Sequence, residues 1–171
     1  MSFYGFPTIS KPAGTSFPGL RSVGDRFFRS DLGWMCFFDG LRWLTDFELS
    51  MQVQTITFTG STAKALAAFR TDYSPLITRV RLGYYIYTTN DATNYWNIAY
   101  RLISAAYSGA TVIKSYSTAA ASPNTWTAAE DPPTNATSNT NRSYLDFNIT
   151  KNSSPGDIDI VGSVFYRLIV P

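Results

Sequence analysis

Carboxylates are the first candidates for chemistry. Asp25, Asp31, Asp39 and Asp46 sit close together in the sequence and offer the acid–base pair of a glycoside hydrolase. Three of them, however, stand beside turn signals, where an aspartate accepts bonds from nearby backbone amides. Asp157 and Asp159 lie two apart on a strand and share one face. Calcium is conceivable there, but a solvated face is the simpler reading. The chain has no histidine, which removes the commonest general base and the commonest metal ligand. Its single cysteine, Cys36, excludes a cysteine-rich zinc site and an intramolecular disulfide. Cys36 lies in the apolar run Trp34 to Phe38 and reads as a buried thiol rather than a nucleophile. Neither a phosphate-cradling glycine loop nor a Gly-x-Ser-x-Gly elbow is present. The expectation is a protein that is not an enzyme and has no metal or cofactor.

The outlying quantity is aromatic content, 16% of 171 residues, against only 15% charged residues and a net charge of +2. Rings carry large contact area at low entropic cost and favour strands and interfaces. Arg79 and Arg81 beside Tyr84, Tyr85 and Tyr87 resemble the aromatic–basic mix of single-strand binders. The cations are scattered, though, and core rings with snorkelling arginines are the better reading, so no nucleic-acid partner is expected. Asn135, Asn141, Asn148 and Asn152 fall in Asn-x-Ser/Thr sequons that polar loops produce by chance. The opening "MSFYGFPTIS" lacks the basic and apolar regions of a signal peptide, and no apolar run is long enough to span a bilayer. No membrane partner is expected, and the chain reads as one made and kept in a cytosol.

The elements that must position these side chains are strands. Residues 1–23 read as an extended arm, broken by Pro7, Pro12 and Pro18 yet carrying Phe3, Tyr4, Phe6 and Phe17. A solvated linker rarely holds such rings, so the arm is expected to lie on another surface. Residues 24–45, "GDRFFRSDLGWMCFFDGLRWLT", read as a small aromatic β-meander with strands at 25–29, 34–38 and 41–45. Asp39-Gly40 and a turn ending at Gly33 separate them. Residues 46–171 read as a β-sandwich or jelly roll. Period-two alternation at Phe47, Leu49, Met51 and Val53 slips before Ile56 and Phe58, which predicts a bulge. Residues 61–70, "STAKALAAFR", read as a short helix capped by Ser61 or Thr62. Further strands are expected at 76–89, 95–107, 111–117, 143–150 and 157–170, with a long loop at 118–142 around Trp126. The fold class is all-β.

The stretch Gly24–Thr45 resembles a short module of structural proteins of tailed bacteriophages. Those carry Gly-Asp-Arg-Phe/Tyr, an Asp-Leu-Gly-like turn, an aromatic strand, then Asp-Gly-x-Arg-Trp. The matching residues are Gly24, Asp25, Arg26, Phe27, Asp31, Leu32, Gly33, Phe37, Phe38, Asp39, Gly40, Arg42 and Trp43. The rest of the chain resembles virion β-sandwiches only in general style.

The resemblance implies a virion structural protein, most like a head decoration or cement protein on the outer surface of the capsid, assembled in the host cytoplasm. Such a protein clamps neighbouring subunits of the major capsid protein and is often a homotrimer. Phe3, Tyr4, Phe6 and Phe17 are then the arm's capsid contacts. Trp34, Phe38, Arg42 and Trp43 are the meander's interface. The alternative is a tail fibre, neck or receptor-binding module presenting Tyr95, Trp96 or Trp126 to a cell-surface carbohydrate, since an exposed ring in a polar loop needs a reason.

Overall fold

The structure is a computed structural model that describes residues 12–59, 64–70, 73–103, 109–134 and 144–171, without the side chains of 53–56 and 64–70. The described residues form twelve β-strands and no helix. They fall into two units, one up to Phe47 with Ile169–Pro171, the other Glu48–Leu168.

The first unit holds β1 (Ala13–Gly14), β2 (Arg26–Arg29), β3 (Trp34–Phe38) and β4 (Trp43–Thr45). The last two residues of β12 (Ile158–Val170) pair with β4. β2, β3 and β4 form the antiparallel meander read from the sequence. Gly33 closes the first turn at φ +69°, its amide donating to the Arg29 carbonyl. The second turn is longer than a two-residue hairpin. Asp39 Oδ1 accepts from the amides of Leu41 and Arg42, and Gly40 adopts φ +103°. The last strand therefore starts at Trp43 rather than at 41, because the aspartate holds the next three residues in the turn. Phe27, Cys36, Phe38, Trp43 and Val170 make the core of this unit, with Phe17, Leu32 and Trp34 packed on it.

The second unit is a β-sandwich. Its strands are β5 (Leu49–Phe58), β6 (Lys64–Arg70), β7 (Pro75–Ile86), β8 (Tyr95–Ile103), β9 (Ala110–Ser117), β10 (Trp126–Asp131), β11 (Tyr144–Asn152) and β12 up to Leu168. One sheet runs β10-β7-β12-β5, the other β6-β11-β8-β9, all neighbours antiparallel. Strict alternation drives this arrangement. Trp96, Ile98, Tyr100 and Leu102 of β8 are buried, and so are Ile158, Ile160, Val164 and Tyr166 of β12. Each such side chain contributes about 1.5–3 kcal/mol of transfer free energy. The bulge expected in β5 is present, since Gly162 pairs with Val53 and Ile160 with Ile56, three steps on β5 against two on β12.

Two expectations are overturned. Residues 64–70 form a strand paired with β11, not a helix. Their alanine and leucine content favours a helix by only tenths of a kcal/mol per residue, less than the ladder to β11 supplies. The proposed cap, Ser61 or Thr62, lies outside the described residues. The long loop expected at 118–142 contains β10, an edge strand on β7. Its "WTAAED" lacks the β-branched run that marks a strand, and pairing with β7 decides it.

Candidate functional site

In the first unit, the lower part of the arm lies along the meander. β1 pairs in parallel with β2, and the amides of Phe28 and Ser30 donate to the carbonyls of Pro12 and Gly14. Phe17 stacks on Trp43, with ring centroids 4.5 Å apart and planes within 3°, and meets Phe27 edge-on at 5.6 Å. Arg29 covers the Phe17 ring at 4.9 Å, binds Asp31 through two nitrogens and donates to the carbonyl of Pro171. That bond to Arg29 holds the Asp31 carboxyl below its ordinary value.

Phe27, Phe38 and Trp43 are therefore packed within the unit, although the Trp43 indole N–H is buried without a hydrogen-bond partner among the described residues. Phe38 and Trp43 are core residues of it, and Trp34 is half-buried against them and meets Phe47 edge-on. Arg42 is half-buried on Asp39 at 3.3 Å. Phe17, assigned from sequence to the arm contact, spends one face on Trp43. Phe3, Tyr4 and Phe6 lie outside the described residues. What the unit presents outward is aliphatic: Leu20 is 95% exposed, Val23 75% and Leu41 74%. Val23 lies against Gly40, where an added Cβ would stand 3.1 Å from its Cγ2, so Val23 and Leu41 share one end of the meander. Leu20 borders a shallow groove of about 520 Å³ with Pro12, Pro18, Phe27 and Trp43. Sequence reasoning passed over these three because single aliphatics in turns carry no periodicity.

The carboxylates are structural. Asp25 accepts from the Ser22 amide, Asp39 caps its turn, and Asp46 pairs with Arg26 at 3.1 Å. Burial pushes the Cys36 thiol up to about 11, which keeps it protonated and unreactive. Among the described residues, no group of His, Cys, Asp or Glu could hold a metal ion.

In the second unit, the outward face of the β10-β7-β12-β5 sheet carries the remaining candidate. Trp126 is 53% exposed, as the sequence reading required of a ligand-facing ring. It lies tilted on Tyr85 at 5.8 Å, and Tyr85 meets Tyr87 edge-on at 5.0 Å. Tyr87 and Thr57 donate their hydroxyls to the two oxygens of Asp159, each at 2.7 Å. The bond to Asp159 raises the Tyr87 phenol above its ordinary value. Trp96, the other tryptophan weighed for sugar contact, is fully buried, and its indole N–H donates to the Gly156 carbonyl. Its place in the buried phase of β8 explains that. Tyr95, in the opposite phase, is half-buried.

At the far end of the face, Glu130 bridges Arg79 and Arg81, and Glu48 binds Arg79 at 2.9 Å and the Thr78 hydroxyl. Both arginines lie over Phe165. The bond to Arg81 holds the Glu130 carboxyl low, and that to Thr78 does the same for Glu48. Arg79 and Arg81 of the basic–aromatic mixture noted in the sequence are thus paired with Glu48 and Glu130.

No family model matches the chain, and no curated protein matches it. Solved structures with a similar course exist. One is a pilus subunit of Bacillus endospore appendages, at 13% identity and a TM-score of 0.39, covering 72% of this chain and 89% of that one. Another is the VP2 protein of infectious bursal disease virus in a subviral particle, at 13% identity and a TM-score of 0.43, covering 90% of this chain and 41% of that one. A mutant VP2 in derived particles gives 14% and 0.44, with 90% and 40% covered. The chain thus spans about two fifths of the VP2 proteins it is similar to. At these scores and identities, the likenesses carry no weight for function.

Proposed function

We propose that the chain is a non-enzymatic structural protein of a tailed-phage virion, a head decoration protein that clamps neighbouring subunits of the major capsid protein. The observation that carries this reading is the trio Leu20, Val23 and Leu41, exposed on a unit whose own rings are already packed. Val23 and Leu41 together at one end of the meander, with Leu20 beside the groove of Pro12 and Pro18, offer the apolar surface for a protein contact. That unit is also the segment that resembles the phage module, and its arm is held in place from Pro12 onward by β1 and by Phe17 on Trp43. A clamp that binds only assembled shell stabilises it by mass action, and trimeric linkage multiplies the effect. The strand order of the second unit, two sheets of four, is that of the jelly rolls found in viral capsid and lectin domains, which is support by analogy.

The test is the copy number of the protein in purified virions, measured against the main shell protein by quantitative mass spectrometry. Comparable abundance is expected. A count far below the shell protein moves the role to the tail or neck, and absence from particles ends the virion reading. A second arm replaces Leu20, Val23 and Leu41 with Ser and measures binding to shells. Undiminished binding would refute the assigned contact.

A further inference from the structure

The outward face of the β10-β7-β12-β5 sheet is shaped along its length. Its middle is floored by small groups. Gly83, Ala128, Val161 and Ser163 line a groove of about 610 Å³. A Cβ on Gly83 would stand 2.9 Å from Val161 Cγ1, which would have to shift, and 3.8 Å from Trp126 Cζ3. The Trp126 indole lies beside Gly83, within ordinary contact distance of that position. Next to the groove, on the Gly83 side, lies this indole with Tyr85. Beyond it, Asp159 is held by two hydroxyl donors. The other end is the Arg81–Glu130 pair, four residues along β10 from Trp126, about 13 Å away at strand rise.

We propose that this groove binds a neutral glycan, with a pyranose ring stacked on Trp126 and its neighbours lying along Gly83 and Ala128. Three features choose this occupant. An indole that stays half in water offers a flat apolar surface to the C–H face of a sugar, and Tyr85 fixes its tilt. Asp159 and the Tyr87 hydroxyl, whose one proton is given to Asp159, keep free lone pairs that accept from sugar hydroxyls. At the far end Glu48 and Glu130 are paired with Arg79 and Arg81, so these four charges are engaged with one another, with Arg167 acting on Glu48 besides. The proposal goes beyond the virion reading and stands whether the protein is located on the head or the tail.

The experiment uses the full chain and a panel of neutral oligosaccharides built from glucose, galactose, mannose and N-acetylglucosamine. Binding is read by titration calorimetry and by saturation-transfer NMR on the sugar protons. At least one panel member is expected to bind, with transfer from indole protons. Trp126→Ala should weaken that binding by about tenfold or more, the loss of one ring contact. Tyr87→Phe, which keeps the ring and removes the bond to Asp159, should weaken it less. Circular dichroism and the thermal midpoint establish that both variants fold. Binding by no panel member overturns the proposal. So does equal binding by the Trp126→Ala variant. A dimer in sedimentation that Trp126→Ala dissolves also overturns it, since the face would then be an interface between copies.

Discussion

Gly162→Ala is the sharpest probe of the sandwich that carries this face. A Cβ on Gly162 would stand 2.3 Å from the Tyr100 hydroxyl and 3.3 Å from both Phe147 Cε2 and Tyr100 Cζ. Tyr100 is fully buried, and its hydroxyl crosses from β8 to donate to the Arg81 carbonyl on β7. The substitution must drive that hydroxyl off its acceptor. A buried hydroxyl left unpaired costs about 1–3 kcal/mol. Crowding against Phe147 adds about 1 kcal/mol or more. The stiffer alanine returns about 0.4–1 kcal/mol through the unfolded chain. The net loss is about 1–4 kcal/mol, a fall of roughly 2–15 °C in Tm for a chain of this size. Tyr100→Phe alone should cost about 1 kcal/mol, because it removes one hydrogen bond and leaves no buried hydroxyl behind. In the double variant the closest contact is gone, so the two costs should not add. The total is expected to fall short of the sum by about 1–2 kcal/mol. Urea unfolding of the four proteins measures this directly. Additivity within about 0.5 kcal/mol, or a neutral Gly162→Ala, would refute the close approach of Tyr100 to β12.

Phe17→Ala should cost about 2 kcal/mol, less than a fully buried phenylalanine because the ring is only partly buried, with Trp43 stacked on it and the Arg29 guanidinium over it. It should also speed proteolysis between Pro12 and Val23, read by mass spectrometry of the fragments. Cys36 should resist iodoacetamide in the folded protein at pH 8, where its thiol, raised to about 11, is protonated, and react once urea unfolds the chain. Burial raises the Tyr100 phenol above its ordinary 10.0, so above pH 10 the unfolded chain sheds a proton that the folded one keeps. Stability should therefore fall as pH rises past 10, and less steeply in Tyr100→Phe. Glu130 has the opposite sign. Its carboxyl is held below its ordinary 4.5 by Arg81, so its contribution is present above that pH and lost as pH falls through the folded value. Glu130→Gln should flatten the acid limb of the stability profile, although only slightly, because the pair is exposed to solvent.

The parts legible in the sequence were those written as a period. β8 announced its buried face through Trp96, Ile98, Tyr100 and Leu102, and the bulge in β5 showed as a slip of phase between Val53 and Ile56. The meander was legible through its turn residues, because Gly33 and Gly40 take positive φ that other residues avoid. What failed were segments whose state is set by a neighbour. Residues 64–70 and 126–131 have compositions that mean helix and loop in isolation, and each became a strand through the partner beside it. The site residues divide along the same line. A ring in a sequence states how much area it will bury, not against what. Phe38 and Trp43 turned inward because β2 brings Phe27, and the end of β12 brings Val170, to them. Trp126 stayed outward because β10 is an edge strand and its register sets the indole over a glycine. An indole that is half exposed and rests on Tyr85 is, among the described rings of the sandwich, the place to look for a ligand.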